Sequence, residues 1–426
     1  MALTTGKIAE VMFENTMKTF EQQEQMLSLV GFSEPDAGKM QNTGGVIWTP
    51  VEQHAPIISG WDMTGEETGI VQETYPQILG TPSNDFVRQR VDDMRDKRFW
   101  EQRGKASGRR QAAELNKLIA EAIALQGSLF YRSNATSGYE FIAEAQATMN
   151  ERQLVNSGRH YVLNDRDLLL FSKDLAARQT LQGKPNDTWR KGQIGQNIAE
   201  FNIHTGSYLP NLTGGTDPAT TITNAQSFKP EAGLVNTSTG VVTNVDCRTT
   251  GSILVADSSS YNLGDKVTIS NSGTTIKALG LDDKNPTGQA MTFTVIALAD
   301  ATHMSLYPKP IAADDAALTS VEKAYANVDT TIAAAATVDR LNIDASNKVN
   351  LFWNKGAIEV VGGAIPAELF AQYDGMKVLT DTMSNGQKLY LVYDGDIATL
   401  NFRYRLFTWY GITVSQPQNC GVAVTY

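Results

Sequence analysis

The chain has 426 residues, of which 41% are hydrophobic and 19% charged, and its formal net charge is −10. This length leaves room for two or three domains of ordinary globular composition. Two cysteines exclude a disulfide framework and favour a reducing compartment, and the absence of a run of about 18 apolar residues excludes a predicted membrane span. The N-terminus has no apolar signal segment, so we expect a protein assembled in the cytoplasm, with no membrane partner.

The charge is distributed unevenly along the chain. Residues 1–80 contain 3 basic and 11 acidic side chains, a net charge of −8. Residues 81–135 contain 11 basic and 7 acidic side chains, a net charge of +4. Neighbouring segments of opposite sign favour contacts between segments or between copies of the chain.

The first part of the chain predicts an amphipathic helix and then a hairpin. Residues 4–29 place apolar side chains at helical spacing, with glutamates along much of the remaining surface. A helix packed on its own domain is favoured over an arm that docks on another subunit. Residues 42–82 alternate short strand segments with turn residues, which is typical of a long two-stranded hairpin. An isolated hairpin is marginal in water, so we expect this one to lie on another surface, with a neighbouring subunit as one candidate.

The longest predicted element is a helix over residues 83–128. Capping side chains follow Pro82, and apolar residues then recur at three- and four-residue steps. Such a helix would be on the order of 60 Å long, the length of a strut across a molecule. Gly104 and Gly108 each weaken it by roughly 1 kcal/mol relative to alanine, so we expect a bend there.

The remaining elements predict an α+β lobe interrupted by a β domain. Residues 138–155 predict a helix, residues 160–164 a strand, and Asp165 is expected to cap a third helix as far as Leu175. Residues 183–222 predict a loop. From Thr223 onward about six short strands predict a small antiparallel barrel or sandwich. Longer strands are then expected at residues 351–353, 358–361, 377–382, 388–393, 402–414 and 422–425.

No pattern predicts catalytic, cofactor-binding or metal-ligating residues. The four histidines lack the spacing of metal ligands, and no phosphate-binding loop or nucleophile elbow occurs. A basic cluster between residues 95 and 110 is the strongest charge feature. A salt-bridged helix face is favoured for it over a surface that meets polyanions or the acidic segment of another copy, because acidic residues lie among the basic ones. We therefore expect a protein that is not an enzyme and needs no cofactor.

Short motifs spread in order over the whole chain resemble those of a known family. They are IWTPVEQ (47–53), GWD (60–62), NDF (84–86), DDMRD (92–96), GSL (127–129), AQSFKP (225–230), PKP (308–310), AYANV (324–328), ELF (368–370), GMK (375–377), GDI (395–397) and WYG (409–411). With the predicted element order, they resemble the coat proteins of short-tailed lambdoid phages, the podoviruses infecting Salmonella and Shigella. These proteins have the HK97-like major capsid fold, of class α+β, with an inserted domain.

The resemblance implies a function in self-assembly. Hexamers and pentamers of the chain would form an icosahedral shell that encloses double-stranded DNA without sequence specificity. Assembly would take place in the host cytoplasm around a scaffolding protein, with a portal ring at one vertex, and the mature product would be the virion capsid.

The resemblance also implies a division of the chain. The expected parts are an N-terminal arm (1–44), an E-loop on a neighbouring subunit (45–82), a spine helix with the peripheral domain (83–130), an axial domain (131–222 and 331–380), an inserted β-barrel domain (223–330), and the peripheral sheet with the C-terminus (381–426).

Contact residues follow from these parts. The expected intercapsomer loop contains Leu234, Asn236, Thr237, Val241, Val242 and Asp246. Because Asp246 is its only charge, we expect hydrogen bonds or apolar contacts there rather than salt bridges. The E-loop contacts would be Trp48, Glu52, Trp61, Asp62, Glu66 and Glu67. The basic spine residues are Arg95, Arg98, Arg103, Arg109 and Arg110, and Glu14 is the expected scaffolding contact.

Two other functions remain open at this point. A cellular nanocompartment shell of the same fold would enclose protein cargo instead of DNA, but the inserted domain favours the phage protein. A carbohydrate-binding or carbohydrate-active protein could use Trp48, Trp61 and the Thr/Ser-rich barrel. The missing secretion signal and carboxylate pair count against it.

Overall fold

The computed structural model describes residues 5–34, 46–65, 67–90, 97–133, 138–169, 171, 195–216, 219–231, 234–235, 239–240, 242–243, 245–342, 347–365, 376–396, 398 and 401–425. The chain divides into two compact units. The first comprises Met1–Ile47, Gln77–Ala120 and Ile358–Thr413, and the second comprises Trp48–Pro76, Glu121–Ala357 and Val414–Tyr426. Helices and strands both contribute, so the α+β class is confirmed.

The helices are α1 Thr5–Gln23, α2 Lys97–Gln126, α3 Gly138–Glu151 and α4 Ser320–Lys323, with 3-10 turns at Leu27–Leu29, Lys355–Ala357 and Pro417–Asn419. The strands are β1 Gly31–Ser33, β2 Val46–Pro50, β3 Thr74–Ile78, β4 Ser83–Arg90, β5 Leu129–Ser133, β6 Arg159–Leu163, β7 Gly195–Ile198, β8 Phe201–Thr205, β9 Asn211–Leu212, β10 Ala219–Thr221, β11 Leu234–Val235, β12 Val242–Thr243, β13 Ile253–Leu254, β14 Lys266–Asn271, β15 Thr274–Thr275, β16 Lys277–Leu279, β17 Pro286–Ala290, β18 Thr292–Asp300, β19 His303–Tyr307, β20 Thr337–Arg340, β21 Asn347–Lys348, β22 Asn350–Asn354, β23 Ile358–Gly362, β24 Lys377–Thr382, β25 Lys388–Asp396, β26 Asn401–Thr408, β27 Tyr410–Val414 and β28 Cys420–Thr425.

The predicted start of the long helix is wrong. Ser83–Arg90 form strand β4, which pairs antiparallel with β26 from Ser83↔Thr408 to Arg90↔Asn401. Side chains along β4 alternate between half-buried and exposed, the two-residue period of a strand. The polar residues after Pro82 satisfy the rules for a helix cap, but a strand distant in sequence decides their conformation. Residues 91–96 lie outside the described part, and the helix is described from Lys97.

One face of the first unit's four-stranded sheet packs on α2. The strand order is β24-β25-β26-β4, and all three pairings are antiparallel. Trp100 of α2 is buried edge-on against the rings of Phe402 and Tyr404, with centroids 6.1 and 5.7 Å away. The arginine side chains of the opposite face are therefore left pointing outward.

Helix α1 packs on α2 where the two glycines lie. A Cβ atom on Gly104 would stand 2.5 Å from the carbonyl oxygen of Met12, and one on Gly108 would stand 2.5 Å from that of Thr16. The Thr16 hydroxyl also donates a hydrogen bond to the Gly104 carbonyl over 3.2 Å. The glycines thus allow two backbones to approach closely, and α2 continues as a helix through both of them. This packing indicates a contact between two helices and not the bend that the glycines predicted.

The prediction of an amphipathic N-terminal helix is confirmed. Ile8, Met12 and Phe20 of α1 are buried within the first unit, whereas Glu10 and Glu14 are exposed. The helix ends at Gln23, and the predicted continuation to residue 29 is a separate 3-10 turn. The favoured interpretation, a helix packed on its own domain with a solvated acidic face, agrees with this arrangement.

The second unit is built on a six-stranded sheet of order β5-β28-β22-β6-β8-β7. Helix α3 and strand β6 confirm two predicted elements, and α3 buries Phe141, Ile142 and Met149 in the core that covers this sheet. The loop predicted over residues 183–222 is wrong where it is described. Strand β8 pairs with β6, and its Phe201 and Ile203 are buried because apolar and polar residues alternate there. Residues 172–194 lie outside the described part.

The third helix has a different cap from the one predicted. The side-chain oxygen of Asn164 accepts the backbone N–H groups of Arg166 and Asp167, both over 2.9 Å. Residues 167–169 and 171 are helical. The cap is therefore Asn164 instead of Asp165, because an N-cap side chain must reach the N–H two or three residues ahead.

The inserted β structure is a closed barrel. Its strand order is β10-β20-β14-β18-β19-β13. Hydrogen bonds from Thr223 N to Leu254 O (3.0 Å) and from Ala256 N to Thr221 O (2.8 Å) join the last strand to the first. Val267, Ile269, Phe293 and others fill the interior. The barrel runs from Ala219 to Arg340, slightly wider than the predicted 223–330, and its independence as a domain stays a prediction.

The expected hairpin is shorter than predicted and the longest C-terminal strand is broken. Strands β2 and β3 pair, but residues 51–73 contain no strand in their described part. Residues 402–414 form β26 and β27, which belong to different sheets and meet at Trp409. The other predicted C-terminal strands are confirmed as β22, β23, β24, β25 and β28.

Candidate functional site

The loop of the hairpin exposes a large apolar surface. Ile57 and Trp61 are almost completely exposed, and Ile70 is more than half exposed. Asp62 and Glu67 beside them are exposed, as is Glu52, whereas Trp48 in β2 is half-buried and Glu66 lies outside the described residues. Hydrogen bonds from the hydroxyl and amide of Thr64 lower the pKa of Asp62, so this carboxylate stays charged. An exposed patch of apolar and acidic side chains is typical of a protein interface.

The root of this hairpin is fastened within the second unit. The N–H and thiol of Cys247 both donate to the carbonyl of Thr74, over 3.3 and 3.0 Å. The Tyr325 hydroxyl donates to the carbonyl of Val71 and accepts the N–H of His54. Cys247 is a free, buried thiol, and burial raises its pKa to about 12, so it serves as a hydrogen-bond donor. These bonds define where the exposed loop begins and ends.

The expected intercapsomer loop ends at Asp246, next to Cys247 at the root of the hairpin. Strands β11 and β12 pair with Leu234 opposite Thr243 and Val235 opposite Val242. Asn236, Thr237 and Val241 lie outside the described residues. Asp246 makes a bidentate ion pair with Arg248, with distances of 2.8 and 2.9 Å. The only charge predicted for the loop is therefore paired within its own chain.

A buried carboxyl lies beside this root. Glu73 is 9% exposed and lines a cavity of about 140 Å³ together with Cys247, Lys309 and Tyr307. Burial raises the pKa of Glu73 to about 7, although the Lys309 ammonium opposes this shift. Sequence reasoning did not single out Glu73, because its chemistry depends on burial and not on a motif.

Glu73 predicts a pH dependence of stability. Its folded pKa of about 7 lies above the unfolded value, so the folded chain binds more protons between these values and loses stability as the pH rises. The shift corresponds to roughly 3 kcal/mol. Urea unfolding at pH 5 and at pH 8 measures this. The free energy of unfolding of Glu73→Gln should therefore decrease less between the two pH values than that of the wild type. The exposed Glu52→Gln serves as control and should decrease like the wild type. Equal decreases in all three would contradict the assignment.

The basic spine residues divide into internal and exposed groups. Arg103 pairs with Asp85 over 2.5 and 2.6 Å and donates to the Tyr404 hydroxyl over 2.9 Å, so it holds α2 to the sheet. Lys97 and Glu101 form a further ion pair along the helix. Arg98, Arg109 and Arg110 are exposed, and Arg95 lies outside the described residues. The Lys97–Glu101 pair agrees with the favoured interpretation of a salt-bridged helix face, whereas the partner of Arg103 lies on strand β4.

A second basic surface was missed by sequence reasoning. It consists of four exposed arginines on the outward face of the four-stranded sheet, Arg88, Arg90, Arg403 and Arg405, around the exposed ring of Phe86. Arg88 lies directly opposite Arg403 in the register, and Arg403 also pairs with Asp394 of β25 over 2.9 Å. Their sequence signal was the alternation of arginines at positions 88 and 90 and at 403 and 405, which needed the correct strand assignment.

The expected scaffolding contact is a surface position. Glu14 is exposed on α1 and lies 3.9 Å from Lys18, a separation worth little in water. Within the described part of the chain, no group of three or more His, Cys, Asp and Glu side chains could hold a metal ion. In the same part, no helix is long and apolar enough to cross a membrane.

Known proteins match the chain at two levels. A family model described as "P22 coat protein - gene protein 5" matches residues 1–425. A structure from Mycobacterium phage Che8 shares 12% identity with a TM-score of 0.43, covering 93% of this chain and 89% of that one. The capsid of cyanophage P-SCSP1u shares 12% identity with a TM-score of 0.43, covering 93% of this chain and 86% of that one. A virus-like particle from Pyrococcus furiosus shares 6% identity with a TM-score of 0.37, covering 97% of this chain and 98% of that one. The structural similarities are too low to decide function, but the family match spans nearly the whole chain.

Proposed function

The chain belongs to the P22 coat protein family, and from this premise we propose how its surfaces build a shell. It is a phage major capsid protein that associates with its own copies in an icosahedral capsid, so the predicted resemblance and function are confirmed. The family match over residues 1–425 carries this conclusion, and it disfavours both the nanocompartment and the carbohydrate-binding alternatives. The protein is structural, and we propose that it acts without catalysis.

Residues 45–82 act in this proposal as an E-loop that lies on a neighbouring subunit. The exposed tip supports this proposal. Ile57 and Trp61 are almost completely exposed within the described chain, and Ile70 is more than half exposed. Each large side chain of this kind gains about 1.5–3 kcal/mol when it is fully buried. The half-buried Trp48 and the acidic residues of the loop would border this contact.

The tip predicts an assembly defect without a folding defect. In Trp61→Ser, the free energy of unfolding of the unassembled chain should stay within about 0.5 kcal/mol of the wild type, because the side chain is exposed. Removal of an interface anchor should lower the yield of shells at least about tenfold. Negative-stain microscopy and sedimentation measure the yield. Leu263→Ser, an exposed apolar residue in the barrel, is the control and should assemble normally.

The opposite charges are proposed to pair between subunits. The acidic segment of residues 1–80 would face the basic spine residues Arg98, Arg109 and Arg110 of a neighbour, and the arginines around Phe86 add a second positive surface. The loop from Leu234 to Asp246 is proposed to reach between capsomers. Because Asp246 is paired with Arg248, polar and apolar contacts of the loop are favoured over a salt-bridge latch.

The remaining partners are a scaffolding protein, a portal ring and packaged double-stranded DNA, bound without sequence specificity. We propose that Glu14 contributes to the scaffolding contact because it is exposed on α1. Assembly is placed in the host cytoplasm, and the domain boundaries given above are part of this proposal. Expression with and without a scaffolding partner tests it. Closed shells should form with the partner, and a chain that stays monomeric at high concentration in both cases would refute it.

A further inference from the structure

We propose that Arg248 is a positioning residue for assembly: it fixes the root of the hairpin and joins it to the loop that ends at Asp246. This inference rests on the proposed function only where it assigns both segments to contacts with neighbours. The joint itself is a property of the single chain. Sequence analysis singled out Asp246 and missed Arg248, whose partners are brought together only by the fold.

The guanidinium of Arg248 is engaged on every side. It lies over the ring of Tyr75 in β3, 4.7 Å from the centroid, and over that of Tyr307 in β19, at 5.6 Å. In its plane it binds both carboxylate oxygens of Asp246 and donates to the carbonyl of Val414. A planar, delocalised cation suits this combination of stacked rings and bidentate pairing, which lysine cannot reproduce.

Three consecutive residues therefore connect two segments. Asp246 holds Arg248, Cys247 bonds to the backbone of Thr74, and Arg248 stacks on Tyr75. The pairing of β12 ends at Thr243, which lies three positions before Asp246 in the sequence. Because the ion pair and the ring contact share one side chain, Asp246 cannot move away without loosening Tyr75. Contacts made by the loop would thus influence the angle at which the hairpin leaves the unit.

A purely structural role for Arg248 would predict something else. In that case its loss would weaken the barrel as a whole, because Tyr307 belongs to a barrel strand. A positioning role predicts a local effect, limited to the hairpin root at residues 71–76. Hydrogen exchange distinguishes the two, since amides report opening segment by segment.

The experiment uses the full-length, unassembled chain and compares Arg248→Gln, Arg248→Lys and Asp246→Asn with the wild type. Amides of residues 71–75 should exchange about tenfold faster in all three, while those of Val267, Ile269 and Phe293 in the barrel core change less than about twofold. Arg340→Gln, a barrel arginine outside this joint, should leave exchange at residues 71–75 unchanged. Tyr75→Leu, which removes the ring from the hairpin side, should reproduce the effect if an arginine variant fails to fold.

The double variant Asp246→Asn/Arg248→Gln tests the coupling. Its exchange at residues 71–75 should equal that of Arg248→Gln alone, because residues acting as a unit are not additive. Unchanged exchange at the root, equal acceleration of root and barrel core, or additive effects would overturn the proposal. All of these exchange rates are measured on the unassembled chain. A failure of the wild type to form shells would therefore not affect them.

Discussion

Alanine at Gly104 or Gly108 is expected to destabilise the first unit, although alanine is the better helix former. In an exposed helix the replacement would stabilise by about 1 kcal/mol. Here the added Cβ would lie 2.5 Å from a carbonyl oxygen of α1, at Met12 or at Thr16 respectively, and backbone cannot rotate away. Overpacking of this kind costs about 1–3 kcal/mol. We expect each variant to lower the urea midpoint of the unassembled chain, and the double variant to unfold α1 from α2.

Gly395→Ala provides the control for these variants. Gly395 lies in β25 of the same unit, and a Cβ atom there would meet nothing within 4 Å. Its free energy of unfolding should change by no more than about 0.5 kcal/mol. If Gly108→Ala were as stable as Gly395→Ala, the close approach of α1 and α2 would be disproved, and the bend expected from the sequence would again be the better account of the glycine.

Lys266→Met is expected to have the largest effect in the second unit. The side-chain nitrogen of Lys266 is fully buried and donates to the carbonyls of Ala124 and Gly127, over 2.9 and 2.5 Å, and lies 3.0 Å from the Thr294 hydroxyl. It thus satisfies carbonyls at the end of α2 that have no partner within the helix. Methionine fills the same space but removes the Lys266 donor from the Ala124 carbonyl and leaves the Gly127 carbonyl with the Thr294 hydroxyl. A loss of roughly 2–5 kcal/mol follows, measured by urea unfolding.

Two comparisons separate this effect from a general loss of charge. Lys277→Met, a half-buried barrel lysine, should cost less than about 1 kcal/mol. Burial also lowers the pKa of Lys266 to about 7, so the folded chain binds fewer protons than the unfolded chain between that pH and about 10. The wild type should therefore gain stability as the pH rises from 7.5 to 9.5, and Lys266→Met should gain less. Parallel pH curves for the two proteins would contradict the burial of the Lys266 side-chain nitrogen.

The predictions that failed share a physical cause. Residues 83–90 satisfied the rules for a helix start, yet eight pairings with β26 hold them as a strand. The polar residues around strand β8 predict a loop, but its burial depends on the parallel partner β6. In both cases the partner strand is far away in sequence, so local propensity was overridden by tertiary pairing. The elements that were correct, such as α1 and α3, carry their own helical periodicity.

The sequence by itself determined the family, the α+β class and the segments that carry unusual charge or exposed tryptophan. These depend on motifs, composition and local period, which need no partner to be read. Only the tertiary structure decided that the glycines of α2 are a helix contact, that Arg103 is internal while Arg88 and Arg405 share an outward face, and that Arg248 lies over the ring of Tyr75. The physical reason is that packing distance, burial and ion pairing are set between residues tens to hundreds of positions apart, where a single sequence carries no signal of contact.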